Sequence, residues 1–323
     1  MEDYLVSFID NSKGEVTTVI RGNNSLDLSF KNIIRLEKIP NSISNINLSG
    51  NQIKNLSNLN DDLKELSAIN NRIFKIENLP PLEKLNLSHN NISEIENLPD
   101  SLIDLNLTGN KKISKVKNIP ETLVKINLGN CIIDEVELPK SATHVNLSNN
   151  KIRNINIHEK VENLNLSNND LNSMPKLFSF IKDLNLSNNR IAKISGIKSL
   201  SKLEALNLSN NKIKKIENLP NNVLFLKLSN NLITTVENIP KNIIDLELNN
   251  NNISNADYKY PLTLIKLNLS FNRISNINSI PEHIDELEIS NNYIRKIEFV
   301  GKINYFNGSG SNLLEFPNFP NSI

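Results

Sequence analysis

The stretch IKDLNLSNNRIAKI at residues 181–194 recurs in close copies from about residue 23 onward, and a chain built from one repeated unit has few ways to fold. Its apolar residues are Ile181, Leu184, Leu186, Ile191 and Ile194, with Asn189 between the last two groups. The central leucine-type position runs through Leu26, Ile46, Leu66, Leu85, Leu105, Ile126, Val145, Leu164, Leu184, Leu206, Leu226, Leu246, Leu267, Leu287 and Phe306, at spacings of 19 to 22 residues. A unit of this size cannot bury its apolar face alone, so each copy must stack on its neighbours. Each L-x-L tripeptide is expected to form one short strand, paired in parallel with the next at roughly 4.8 Å.

The pattern L-x-x-L-x-L-x-x-N-x-L, as it stands in residues 181–194, resembles the leucine-rich repeat family. The resemblance implies an α/β-type leucine-rich repeat solenoid, mostly β with little helix. Its form would be a curved right-handed coil with a parallel sheet on the concave face and extended or 3₁₀ segments on the convex face. The return segments often read I-E-N-[LI]-P, as at residues 76–80, 95–99, 216–220 and 236–240. Proline fixes its own φ and turns the preceding residue away from helix, so a long return helix is excluded. These short units are similar to those of bacterial effectors of the YopM kind. The unit at Leu184 has a longer return without proline, SGIKSLSKLEAL, which resembles the phosphatase-regulatory subclass and has room for one helical turn.

In the family, the asparagines that follow the strands form a ladder that satisfies backbone groups of the turn. The resemblance places Asn51, Asn71, Asn90, Asn110, Asn150, Asn169, Asn189, Asn211, Asn231, Asn251, Asn272 and Asn292 in that column, with Cys131 in the same slot. Departures are few. Lys31 replaces the first ladder asparagine, Ala68 replaces a strand leucine, and an extra residue lies between Asn110 and Ile113.

Residues 1–22 differ from the rest. YLVSFID and EVTTVIR are alternating β-branched runs joined by Asn11, Ser12, Lys13 and Gly14, a hairpin signal, and such a hairpin would cap the open end of the stack. Residues 23–323 read as one solenoid of about fifteen repeats. The last is degenerate, with Gly308 and Ser311 where apolar and Asn side chains belong, and the chain ends on PNFPNSI, the lead-in of another repeat. Self-association through that end is therefore an expectation.

With 36 basic and 35 acidic residues the formal charge is +1, so no global field draws nucleic acid or anionic lipid. No run is apolar and long enough to span a membrane as a helix. Acids at Glu2 and Asp3 stand where a secretory signal carries positive charge. Cys131 is the single cysteine, and the N-x-[ST] sites at Asn86, Asn146, Asn165, Asn185, Asn207 and Asn268 fall inside expected strands. An intracellular, cytoplasmic setting is the expectation. His89, His144, His158 and His283 show no metal-ligand spacing, phosphate-cradling and nucleophile-elbow motifs are absent, and no cofactor or catalytic residue is expected.

Function is expected on outward strand residues. The position after the central leucine is Asn in Asn47, Asn86, Asn106, Asn127, Asn146, Asn165, Asn185, Asn207 and Asn268, a uniform polar ribbon. The monotony breaks in the C-terminal third with Phe225, Lys227, Asp245, Glu247, Lys266, Phe271, Glu286, Glu288 and Tyr305. Aromatic anchors ringed by charge have the composition of a protein interface, so these nine form the expected partner-binding patch. The reading is a non-enzymatic module that binds a protein. The alternatives are a recognition adaptor for a ubiquitin ligase or phosphatase acting in trans, and a structural protein without a specific ligand.

Overall fold

In the computed structural model, the described residues are 3–21, 24–277, 279–297 and 302–314. The terminal PNFPNSI copy, on which the expectation of an open end rests, lies outside them, as do residues 22 and 23 at the expected boundary after the hairpin. The chain divides into two compact units, Met1–Val161 and Glu162–Ile323.

The first unit opens with β1 (Asp3–Asp10) and β2 (Gly14–Arg21), an antiparallel hairpin in which Asp10 pairs with Gly14. Val6 and Phe8 are buried while Leu5 and Val19 are exposed, the one-sided burial expected of alternating strands. Asp10 closes the turn, its Oδ1 accepting the Ser12 amide and hydroxyl at 2.7 Å and the Lys13 amide at 2.9 Å. These bonds hold its carboxyl at about 2. The hairpin joins the first repeat through β4 (Ile33–Lys38), which pairs with β1, and not through β3 (Ser25–Asp27), the strand of the parallel sheet.

The parallel strands of this unit continue with β5 (Asn45–Asn47), β6 (Glu65–Ser67), β7 (Lys84–Asn86) and β8 (Asp104–Asn106). Beyond them come β10 (Lys125–Asn127) and β12 (His144–Asn146), with β9 (Lys115–Val116) and β11 (Glu135–Val136) forming a small separate parallel pair. The second unit holds β13 (Asn163–Asn165), β14 (Asp183–Asn185), β15 (Ala205–Asn207) and β16 (Phe225–Lys227). It continues through β17 (Asp245–Glu247), β18 (Lys266–Asn268), β19 (Glu286–Glu288) and β20 (Tyr305–Asn307). Neighbouring strands are parallel and in register, central residue against central residue.

Each strand is centred on the leucine-type residue and is x-L-x, not L-x-L. The second leucine, such as Leu186, lies just past the strand, with its amide bonded to Asn207 O of the next repeat at 2.8 Å. Central and following apolar residues are buried from Leu26 to Ile289, each large side chain worth roughly 1.5–3 kcal/mol, while in the last repeat Phe306 is half-buried and Gly308 follows it.

Among the described residues there is no helix of any kind. The returns turn on single i→i+3 bonds, such as Ile43 N to Pro40 O at 3.1 Å and Leu102 N to Pro99 O at 3.1 Å, one bond short of a 3₁₀ helix. The room for a helical turn after Leu184 is filled by two such turns end to end, Leu200 N to Ile197 O and Leu203 N to Leu200 O.

Left-handed backbone explains much of the asparagine. The residue before each ladder position has positive φ, as at Asn149, Asn188 and Asn250, and so does the Asn of I-E-N-[LI]-P at Asn78, Asn97, Asn218 and Asn238. Asn tolerates this region because its short amide bonds locally. Phe30 and His89 also sit there, and each packs where the next repeat has glycine, Gly50 and Gly109, with no Cβ to obstruct the ring.

Candidate interaction surface

The ladder side chains bind two repeats at once. Asn51 Nδ2 donates to Leu48 O in its own repeat at 2.8 Å and to Leu28 O in the preceding one at 2.9 Å, while its Oδ1 accepts Ile33 N at 3.0 Å. The same geometry recurs at Asn71, Asn90, Asn189, Asn211, Asn231, Asn251, Asn272 and Asn292. Asn110 and Asn150 likewise donate to the preceding repeat, at Leu87 O and Leu128 O, and Asn169 donates to Leu166 O in its own. Lys31 needs no asparagine of its own because Asn51 Oδ1 also accepts its amide.

Cys131 breaks the pattern, with only long contacts from Sγ to Leu107 O and Gly129 O at 3.7 and 3.6 Å. The amide it would have served, Ile113 N, bonds instead to Asn110 O at 3.1 Å across the extra residue. The insertion and the cysteine are thus one adjustment. Burial pushes the Cys131 thiol up to about 11, the reverse of an activated nucleophile.

The uniform ribbon also has a structural cause. The Oδ1 of the asparagine after the central leucine accepts the backbone amide two residues on: Asn86 from Ser88 at 3.1 Å, and Asn106 from Thr108, Asn146 from Ser148, Asn185 from Ser187 and Asn268 from Ser270, each at 3.0 Å. At three strands of the second unit this residue is replaced, by Lys227, Glu247 and Glu288. Lys227 has no acceptor. The carboxylates turn to neighbouring strands, Glu247 taking Lys227 Nζ at 2.7 Å and Ser229 Oγ at 3.4 Å, and Glu288 taking Asn268 Nδ2 at 3.2 Å.

The strand register brings the row before the central leucine together as Phe225, Asp245, Lys266, Glu286 and Tyr305, beside the row Lys227, Glu247, Asn268 and Glu288. Phe225 is 43% and Tyr305 49% exposed. Lys266 Nζ lies 2.6 Å from Glu286, so four of the expected charges are paired within the sheet. Both lysines are held above their ordinary values, first of all by these hydrogen bonds, and burial, aided by Glu247, raises the Asp245 carboxyl. Phe271 is not on a strand. It occupies the left-handed position after β18, with φ 55° and 53% exposure, apart from the two rows.

The row before the central leucine is varied in the first unit too, with Glu65, Lys84, Asp104, Lys125 and His144. Lys84 and Glu65 pair at 2.7 Å in a groove of about 450 Å³ bordered by Asn47, Ser67, Asn86 and Asn106. These residues were not among those expected to bind. The signal was present in the 20-residue spacing of a column that the uniform asparagines next to it obscured. No helix among the described residues is long and apolar enough to cross a membrane, and no cluster of three or more His, Cys, Asp or Glu there could hold a metal ion.

A family model described as Leucine Rich repeats (2 copies) matches residues 179–221. No curated protein matches the sequence. Among solved structures, YopM from Yersinia enterocolitica is similar with a TM-score of 0.72 at 22% identity, over 92% of this chain and 76% of that one. The functional domain of InlJ from Listeria monocytogenes is similar with a TM-score of 0.70 at 18% identity, over 85% and 68%. The plant peptide hormone receptor RGFR1, solved in complex with RGF2, has a TM-score of 0.59 at 21% identity, over 87% of this chain and 54% of that one. Residues 179–221 thus match the leucine-rich repeat model, and the parallel-sheet solenoid fold resembles that of YopM.

Proposed function

We propose that this chain is a non-enzymatic, cytoplasmic leucine-rich repeat interaction module that holds a protein partner on the outward rows of the second unit, around Phe225, Lys227, Asp245, Glu247 and Glu288. The observation that carries the reading is the replacement of turn-closing asparagine by Lys227, Glu247 and Glu288 on strands that otherwise keep the repeat. Giving up a bond made in most other repeats has no structural return, since exposed ion pairs contribute roughly 0–1 kcal/mol. Recognition supplies a return, and Phe225 and Tyr305 beside the charges supply the aromatic contact such interfaces use. A complex of the similar plant receptor with RGF2 is consistent with a partner for this fold.

The test is capture of partners from the native cell extract by the full chain and by the Phe225→Ala/Lys227→Ala/Glu247→Ala variant. Loss of a specific co-purifying protein, with an unchanged circular dichroism melt, supports the reading. Undiminished capture by the variant removes it.

A further inference from the structure

A second surface of the second unit lies at the entry to the strands, two residues before the central leucine. In the flanking repeats this position is Lys182, Glu204, Asp285 and Asn304, but in three consecutive repeats it is Leu224, Ile244 and Ile265. Backbone bonds stack the three in line, Ile244 N to Leu224 O at 2.8 Å and Ile265 N to Ile244 O at 2.9 Å. Leu224 and Ile244 are half-buried, Ile265 is 38% exposed, and Leu262, in the turn leading to it, is 86% exposed. The corresponding positions of the first unit are Asn24, Ser44, Lys64, Glu83, Ile103, Val124 and Thr143, so the repeat itself does not require apolar side chains there, and the run of three in the second unit is longer than the pair Ile103 and Val124 in the first.

The strip ends in acid on both sides. Glu204 and Asp285 are exposed, and among the described residues no ion pair neutralises either. The nearby Lys182 and Lys266 are held by Glu162 and Glu286. Lys241, in the turn before Ile243, is an exposed cation nearby. A second copy of this chain is a poor occupant. A two-fold axis through Ile244 would set Glu204 of one copy against Asp285 of the other, and like charges so placed oppose association.

We infer that this strip binds an extended segment of a protein partner whose apolar side chains are bracketed by Lys or Arg. Four strand intervals separate Glu204 from Asp285, about 19 Å at the usual parallel spacing, which an extended peptide crosses in about six residues. The two basic residues of the partner therefore stand about six apart, with Leu, Ile or Val between them facing Leu224, Ile244 and Ile265. This surface lies beside the outward rows and does not depend on Lys227 or Glu247.

The probes are two labelled peptides, Arg-Ser-Leu-Ser-Val-Ser-Arg, whose alternate side chains put both Arg on the same face as Leu and Val, and its twin with Glu for both Arg, titrated against the full chain by fluorescence anisotropy. The arginine peptide is expected to bind, and Ile265→Lys and the double variant Glu204→Lys/Asp285→Lys should each weaken it by roughly tenfold, as loss of a charge-complementary contact does. The double variant should in turn prefer the glutamate twin. Because these positions are exposed or half-buried, the melts should not move, and Lys227→Ala/Glu247→Ala should bind the arginine peptide as the parent does. Failure of the arginine peptide to bind, equal binding of both peptides, indifference to charge reversal, or a concentration-dependent dimer abolished by Ile265→Lys would each overturn the inference.

Discussion

In the first unit the residue after the central leucine is Asp27, Asn47, Ser67, Asn86, Asn106, Asn127 and Asn146; in the second it is Asn165, Asn185, Asn207, Lys227, Glu247, Asn268, Glu288 and Asn307. The inner columns of the two units are alike, with Leu105 and Leu226 both fully buried. The difference teaches that the asparagine ribbon is not an unused surface. It closes the turn after the strand, as Asn106 does for Thr108 and Asp27 does for Ser29. Ser67 is a small neutral departure in the first unit, while Lys227, Glu247 and Glu288, which trade the local bond for a longer charged side chain, all lie on strands of the second unit.

The comparison breaks most readily at the core. Leu105→Ala and Leu226→Ala should each cost roughly 2–5 kcal/mol in urea unfolding, since either leaves a cavity in a fully buried column. If one were costly and the other nearly silent, the units would not share one inner architecture. The ladder comes next. Asn251→Ala strands carbonyls and the Ile233 amide and should cost roughly 1–3 kcal/mol. Cys131→Ala should cost less than this, because Ile113 is already served by Asn110 O; an equal loss would mean that the cysteine rung bears the same load.

A smaller effect sharpens the contrast itself. Asn106→Ala removes the bond to Thr108 N and should cost roughly 0.5–1.5 kcal/mol, whereas Glu288→Ala should leave the unfolding midpoint nearly in place. Equal costs at the two positions would mean that the glutamate has a structural duty after all. The smallest effect is local to the hairpin of the first unit. Asp10 is held at about 2 by the Ser12 and Lys13 bonds, below its ordinary value near 4, so its contribution is full above that ordinary value and is lost as pH falls through about 2. Amide exchange in residues 3–21 should rise over that window, and Asp10→Asn should flatten the rise; a rise that the variant keeps would point to another carboxylate.

Much of the fold was legible because one column, from Leu26 to Phe306, keeps its spacing through the chain. The period sets which residues stack but not where each strand stops, so each strand lies one residue earlier than L-x-L implies, as at Asp183–Asn185, and Phe271 follows the strand on which it was expected. The positive φ of Asn188 and Asn218 was written in the N-N and I-E-N-[LI]-P motifs, yet both residues also read as plain polar surface. The pairings Lys227 with Glu247 and Lys266 with Glu286 follow from the repeat, since residues 20 apart are neighbours. Which outward residues a partner uses depends on the partner's own shape, and that is not contained in the periodicity.

Photo-crosslinking from two equivalent positions tests the central claim most directly. A photoreactive amino acid is placed at Lys227 in one variant and at Asn106 in another, both in the row after the central leucine, and each full-length variant is irradiated in the native extract. The account predicts a discrete crosslinked partner from position 227 and none from position 106. Crosslinks from 106 alone, or the same product from both, would contradict it.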